Sequence, residues 1–315
     1  MKTLKLDLLG FGNVGRALAR LLMARSAEVS FTVVSIITAH HGWWVDPGGI
    51  DLAKAVRMTG LPSAGPSPRI ADLPGDVLVE LTTLDPRTGQ PAYDHMTEAL
   101  RARKHVVTAN KGPIAHHHEE LLGIARAAGR ELRFEATLAD CLPVFNLRRA
   151  ALPLAEIGRI RGIVSSTTNH ILSSAARGVR FADALAEAQR LGIAEADPRN
   201  DLEGWDAAAK ATILANVLMG ARIRIDDVQR EAIDEPDARE AERVAREGAR
   251  LRPIVEIVRH KDSAIASFGP RRLEPLDPLY AVDGLSMALE LETDLAGTLV
   301  VQLHDPHVKQ VAYAV

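Results

Sequence analysis

The chain has 315 residues, more than one hydrophobic core usually organises, and at roughly 150 residues per domain it should form two lobes. Apolar residues make up 47% and charged residues 25%, enough to bury a core; 38 Lys and Arg against 41 Asp and Glu leave a formal net charge of -3, without the basic excess that nucleic acid demands. The lone Cys141 excludes an intrachain disulfide framework, no apolar run approaches the roughly 20 residues of a membrane span, and Met1 to Gly15 lacks a leader pattern, so a cytoplasmic protein is expected.

Leu4 to Leu9 is almost continuously apolar and runs into Gly10-Phe11-Gly12-Asn13-Val14-Gly15, then into a helical stretch, Arg16 to Ala24, with Leu18, Leu21 and Leu22 at helical spacing. The β-branched run Phe31 to Thr38 closes a βαβ unit. Leu61 to Pro68, with Pro62, Gly65, Pro66 and Pro68, reads as a mobile surface loop. Further strands are expected at Val77 to Leu81, His105 to Thr108 and Leu132 to Glu135, with helices at Tyr93 to Ala102 and Glu119 to Ala128. Such alternation predicts an α/β fold, a doubly wound parallel sheet of Rossmann type. After Pro143 the pattern changes to a second, α+β lobe. It has a strand at Ile160 to Ser165, helices at Phe181 to Leu191 and Leu202 to Met219, and a charged stretch, Asp226 to Arg250, read as a solvated helix face. Gly297 to Leu303 is strand-like and His307 to Val315 a short helix.

Gly10, Gly12 and Gly15 follow a strand, open a helix and lie inside a βαβ unit, the context in which a dinucleotide fingerprint carries meaning. The first glycine permits the tight turn, the second lets backbone approach a pyrophosphate, and the third lets helix and strand pack closely. The second strand ends in Thr38-Ala39-His40-His41-Gly42, with neither the acid that binds a ribose 2′-hydroxyl nor an Arg for a 2′-phosphate. NAD and NADP both stay open, with a lean to NADP through His40 or His41. His116, His117 and His118 are consecutive, so on a helix they point about 100° apart and do not converge on one metal ion.

From Gly192 to Asp206 five acids, Glu195, Asp197, Asp201, Glu203 and Asp206, occupy a segment too polar for core. They could complement a helix dipole. Asp206 and Lys210, four apart, share one helix face, where the acid orients the lysine and keeps it protonated. Beside a dinucleotide site this pair is a candidate proton donor with its orienting carboxylate.

These residues resemble the homoserine dehydrogenase family nearly end to end: Gly10 to Gly15, Glu80-Leu81-Thr82-Thr83, Val106 to Pro113 with its Thr-Ala-Asn-Lys block, Phe134 to Pro143, Thr167-Thr168-Asn169, and Glu195 through Asp206 to Lys210. The length is similar to the short, monofunctional form. The resemblance implies a dinucleotide-binding domain over 1–135, a catalytic and dimerisation domain over 136–285, and a segment, 286–315, returning to the first. It implies hydride exchange between L-homoserine and L-aspartate 4-semialdehyde with NAD(P), a homodimer, and an amino acid as the small-molecule substrate. Lys210 would then exchange the proton, with Lys111 as second active-site lysine beside cofactor and substrate. Glu195 and Asp206 would bind the substrate ammonium, Asp201 would support them, and Thr167 would contact the carboxylate. Gly10, Phe11, Gly12, Asn13, Val14, Gly15, Thr82, Thr83, Lys111 and Gly192 would line the cofactor, and Glu135 with the carbonyls of Leu138, Asp140 and Leu142 would hold sodium. An amino acid zwitterion independently calls for carboxylates at one end and donors at the other.

The chain departs from the family in three places. Leu138 to Leu142 stands where small glycines are usual, Ser165-Ser166 replaces Asn-Gly, and Gln302 to His307 replaces a Gly-Pro-Gly-Ala-Gly loop. Two other readings follow: a dehydrogenase of another small hydroxy amino acid or aldehyde, and a weakly active dinucleotide-binding sensor. Retention of Lys111, Glu195, Asp206 and Lys210 argues against the sensor, which needs no proton donor.

Overall fold

The computed structural model describes residues 3–25, 29–85 and 87–315. They form two compact units, 1–141 with 307–315, and 142–306. The first holds β1 (Thr3–Leu9), α1 (Asn13–Ala24), β2 (Ser30–Ile37), β3 (Trp43–Val45), α2 (Leu52–Ala55), β4 (Val77–Glu80), α3 (Ala92–Arg101), β5 (His105–Thr108), α4 (Lys111–Ala128) and β6 (Leu132–Arg133). Its sheet runs β3-β2-β1-β4-β5-β6, parallel throughout except for the β2–β3 pair. All four residues of β4 are buried, as an apolar strand covered on both faces requires. Leu8, Ile36, Val79 and Leu18 share one core with Ala312 of the terminal helix Val308–Ala314.

One polar group is buried inside this sheet. Asp7, fully enclosed in β1, accepts from the Ser35 hydroxyl at 2.7 Å, the Gly75 amide at 3.1 Å and Lys104 Nζ at 2.9 Å. Lys104 also donates to the carbonyls of Leu73 and Gly75 at 2.5 and 2.7 Å. The charges therefore keep a full set of partners away from water.

The second unit holds α5 (Val144–Ala150), β7 (Ile157–Ile163), α6 (Ser166–Ala175), α7 (Phe181–Arg190), α8 (Arg199–Leu202), α9 (Trp205–Met219), β8 (Gln229–Arg230), α10 (Glu235–Arg246), β9 (Arg250–His260), β10 (Ser263–Leu273), β11 (Met287–Thr293) and β12 (Gly297–Leu303). Its sheet runs β12-β11-β7-β9-β10-β8, antiparallel except for the short β8–β10 pair.

The structure differs from the sequence expectations at several elements. Helix α4 begins at Lys111 rather than Glu119, because the Asn110 side chain caps it, and Pro113 in the first turn removes no helical bond. The histidines interrupt its apolar periodicity, and the backbone kinks at His117, φ -133°. Gly204, in the left-handed conformation at φ +75°, breaks the expected helix Leu202 to Met219 into α8 and α9. Ile160 to Val164 reads in the sequence as an apolar edge that a monomer would leave exposed, but it is no edge: β7 is a central strand paired with β11 and β9, and Ile160, Ile163 and Val164 are fully buried. The loop Leu61 to Pro68 is strapped at its start, with Leu61 N–H on the His41 carbonyl and Ser63 exchanging backbone bonds with Trp43. In place of a return over 286–315, β11 and β12 continue the second sheet and only 307–315 groups with the first.

Candidate active site

The glycine loop joins β1 to α1 at the strand-order switch between β2-β1 and β4, where open α/β sheets bind ligands. Gly10 sits at φ +96°, and a Cβ there would lie 2.4 Å from the Leu81 carbonyl oxygen. A Cβ at Gly15 would come within 2.8 Å of the Gly10 carbonyl. A Cβ at Gly12 would instead meet no atom within 4 Å among the described residues other than its chain neighbours. Gly12 also opens α1 with no side-chain cap, and no acid stands in the first turn. Phe11 is buried, while Gly12 and Asn13 are exposed and Val14 is half-buried. Two glycines are thus dictated by the protein itself and one faces open space beside uncapped amides, which fits a pyrophosphate.

Side chains tie the ends of β4 and β5 together. Glu80 is fully buried; its Oε1 accepts from the Thr82 hydroxyl and the Thr82 N–H, and its Oε2 from the Thr108 hydroxyl at 3.2 Å. Thr108 accepts from Asn110 N–H at 2.9 Å, and Asn110 Nδ2 donates toward the carbonyls of Thr82 and Thr83 at 3.4 and 3.5 Å. Lys111, half-buried, is the first residue of the helix that Asn110 caps. Glu80, Thr108 and Asn110 are the residues of this knot, and their one signal in the sequence is a single acid closing an apolar strand before two threonines. At the end of β2, Thr38 folds the chain back through hydroxyl and amide bonds to the Gly42 carbonyl at 2.7 and 3.1 Å, leaving His40 and His41 exposed. His117 stacks on Tyr93 with centroids 4.1 Å apart, while His118 meets Phe134 edge-on, and burial pushes its imidazole below the usual value.

In the second unit α9 carries Asp206 and Lys210. Lys210 is buried at 8% exposure; its Nζ pairs with Asp206 Oδ2 at 2.7 Å and donates to the Val164 carbonyl at 2.6 Å. The acidic segment sorts into roles. Asp197 is paired to Arg199, whose hydrogen bonds hold its carboxyl down at about 2. Glu203 accepts from the Trp205 indole at 3.1 Å, and Asp201 accepts from the Thr167 hydroxyl at 3.0 Å. Glu195 is exposed, its carbonyl held at 3.2 Å by Gln189 Nε2, and Gly192 turns the chain out of α7 at φ +71°. Thr167, Asp201, Asp206 and Lys210 therefore belong to one unit, with Glu195 and Gly192 on its surface, while Gly10 to Gly15, Thr82, Thr83 and Lys111 belong to the other.

Glu135 begins a short 3-10 turn, Asp140 takes the left-handed conformation at φ +50°, and the Leu142 carbonyl accepts from Val144 N–H at 2.8 Å. Burial pushes the neighbouring Cys141 thiol up, and Asp140 adds to the shift. Beyond β12, His304 and Asp305 are exposed, with Asp305 at φ +45°, and His307 caps the terminal helix in a box with Gln310. No helix among the described residues is long and apolar enough to cross a membrane.

A glycine loop with open space at Gly12 and a buried lysine paired to a carboxylate suit an NAD(P)-dependent oxidoreductase, and the chain is of that class. The model of the homoserine dehydrogenase NAD-binding domain matches residues 10–135, and the homoserine dehydrogenase model matches residues 143–315. The chain is similar to the NAD(+)-dependent homoserine dehydrogenase of Pseudomonas canavaninivorans, at 34% identity covering 96% of this chain and 91% of the relative. It is similar to the homoserine dehydrogenase of Methanocaldococcus jannaschii at 36% identity over 93% of this chain and 91% of that one. Among solved structures it superimposes on a putative homoserine dehydrogenase from Archaeoglobus fulgidus with a TM-score of 0.88, 31% identity and coverage of 99% and 96% of the two chains. A hyperthermophilic archaeal homoserine dehydrogenase in complex with NADPH gives a TM-score of 0.82 at 29% identity, covering 99% of this chain and 95% of that one. The chain belongs to the homoserine dehydrogenase family.

Proposed function

We propose that this protein interconverts L-homoserine and L-aspartate 4-semialdehyde with NADP preferred over NAD, and that Lys210 exchanges the proton. The observation that carries the reading is the Lys210 ammonium, buried yet held by Asp206 and the Val164 carbonyl. A nicotinamide cofactor, when bound, supplies or accepts the hydride. Lys210 donates its proton to the aldehyde oxygen in reduction and removes the hydroxyl proton in oxidation, while Asp206 orients it and balances its charge. Glu195 and Asp206 take the substrate ammonium, with Asp201 behind them. Thr167, at the second position of α6, presents its backbone N–H and the helix N-terminus to the substrate carboxylate, since its hydroxyl is engaged with Asp201. Lys111 supports the reacting end from the start of α4. The NADP preference rests on the exposed His40 and His41 and on the absence of an acid at the end of β2.

Three further parts of the reading concern assembly and setting. Sodium is held by Glu135 with the carbonyls of Leu138, Asp140 and Leu142; the support is a hard, all-oxygen donor set and the left-handed backbone at Asp140, which lets a side chain follow a glycine-like path. The protein is a homodimer through the second unit. Support comes from the sheet face where Arg159 pairs with Glu256 and Glu292 beside the exposed Val258 and Ile265. It works in the cytoplasm.

The reading is tested by initial rates of NAD and NADP reduction with L-homoserine and a panel of other small hydroxy amino acids, with and without sodium. Homoserine is expected to give the highest turnover and NADP the lower KM. A better substrate elsewhere in the panel would replace homoserine in the proposal.

A further inference from the structure

Glu80 ends β4 on a carboxylate with no exposure to solvent, and the proton exchange at Lys210 makes no use of it. Its hydrogen-bond partners are the Thr82 hydroxyl, the Thr82 N–H and the Thr108 hydroxyl. All three are neutral donors, which solvate a carboxylate without cancelling its charge. The one basic side chain within ion-pair reach of it, among the described residues, is His95, with Nδ1 3.9 Å from Oε1. A charge so placed is screened by protein rather than by water, and its field extends further than that of a surface acid.

That field falls on a definite place. The segment after Glu80 lies against the glycine loop, since a Cβ at Gly10 would sit 2.4 Å from the Leu81 carbonyl. In a doubly wound sheet the dinucleotide spans the crevice outside the strand ends, the half built on the first two strands taking the adenosine and the other half the second nucleotide. Thr82 and Thr83, at the end of β4, therefore underlie the nicotinamide half. A nicotinamide ring carries a positive charge when oxidised and none when reduced.

We propose that Glu80 is a positioning residue that holds Thr82 beneath the nicotinamide half-site and, through its buried charge, favours the oxidised cofactor over the reduced one. The inference rests on the cofactor reading above but not on the identity of the substrate. Any step in which the positive ring forms is assisted by the same charge.

The test is calorimetric titration of the full-length protein with the oxidised and the reduced dinucleotide. Glu80→Gln keeps the shape and removes the charge, so the ratio of the oxidised to the reduced Kd should rise about three- to tenfold. A merely structural role would weaken both forms by one common factor and leave the ratio unchanged, and that result overturns the proposal. His95→Lys sets a permanent cation against the same carboxylate and should move the ratio in the same direction, which decides the matter if Glu80→Gln does not fold. A parent that binds dinucleotide but ignores homoserine would remove the substrate reading and leave this one standing. A parent active on homoserine whose ratio is unmoved in both variants would remove this one alone.

Discussion

Lys210 and Asp206 lie one turn apart on α9 with Nζ 2.7 Å from Oδ2, and the ammonium also donates to the backbone carbonyl of Val164 at the end of the neighbouring strand. The pair is thus held from two elements, helix and sheet. An exposed i,i+4 pair contributes little and wanders, whereas this lysine is kept in one place at 8% exposure. Lys210→Ala should lower turnover at least about a hundredfold while cofactor Kd changes less than about threefold. Steady-state kinetics with direct binding measurements checks both, and turnover within threefold of the parent would remove Lys210 from the mechanism.

Gly10 and Gly12 should respond differently to the same substitution. Gly10→Ala forces a side chain into φ +96° and against the Leu81 carbonyl, so it should cost about 2 kcal/mol or more of stability. Gly12→Ala meets no obstacle among the described residues and should stay within about 1 kcal/mol of the parent. Its dinucleotide Kd should nevertheless rise at least about tenfold. Denaturant melts and titrations of both variants are the comparison; a Gly12 variant with parental affinity would show that no phosphate lies there.

Lys104→Met should destabilise the first unit by about 3 to 5 kcal/mol, because it leaves Asp7 enclosed with a charge and no counter-ion. Asp7→Asn combined with Lys104→Met should recover part of that loss. Urea unfolding of the single and double variants measures the coupling, and strictly additive losses would contradict it.

In the second unit Arg252 is almost fully buried, donating to Asp283 at 2.8 Å and to the Ser173 hydroxyl at 2.9 Å. Burial opposes the ionised form of Asp283, but the Ser173 hydroxyl and the cations of Arg252, Arg177 and Arg250 outweigh it and hold its carboxyl below the ordinary value. A carboxyl depressed on folding contributes stability that is complete above its unfolded pKa and disappears as pH falls through the folded one. Asp283→Asn should therefore cost about 1 to 2 kcal/mol near pH 7, a figure discounted for the part-exposed carboxylate. The difference from the parent should shrink steadily below about pH 4. A gap that widens in acid would reverse the assignment.

The β-strand, glycine turn and helix at the start of the chain were readable because each is local: an apolar run covered on both faces, glycines that no other residue replaces, and a helical stripe. The Asp206–Lys210 pair was readable for the same reason, since four residues on one helix fix a shared face. Local pattern also misled. Ile160 to Val164 has the composition of an edge, and only the pairing of β7 with β11 and β9, whose partners lie far away in the chain, shows it to be central. Ladder partners are chosen by which faces must be buried together, and spacing along the chain carries no record of that choice. The start of α4 at Lys111 was hidden because an asparagine cap and three histidines mask the helical period. Glu80 illustrates the limit most clearly. As a letter it is one acid among 41 Asp and Glu; it becomes a fully buried side chain ringed by hydroxyls only when β4 and β5 bring Thr82 and Thr108 around it. The sequence alone determined the family, the glycine turn between β1 and α1 and the shared helix face of Asp206 and Lys210. The tertiary structure decided which acids are paired, which strand is central and where a charge is shielded from water, because those depend on contacts between residues that the chain keeps far apart.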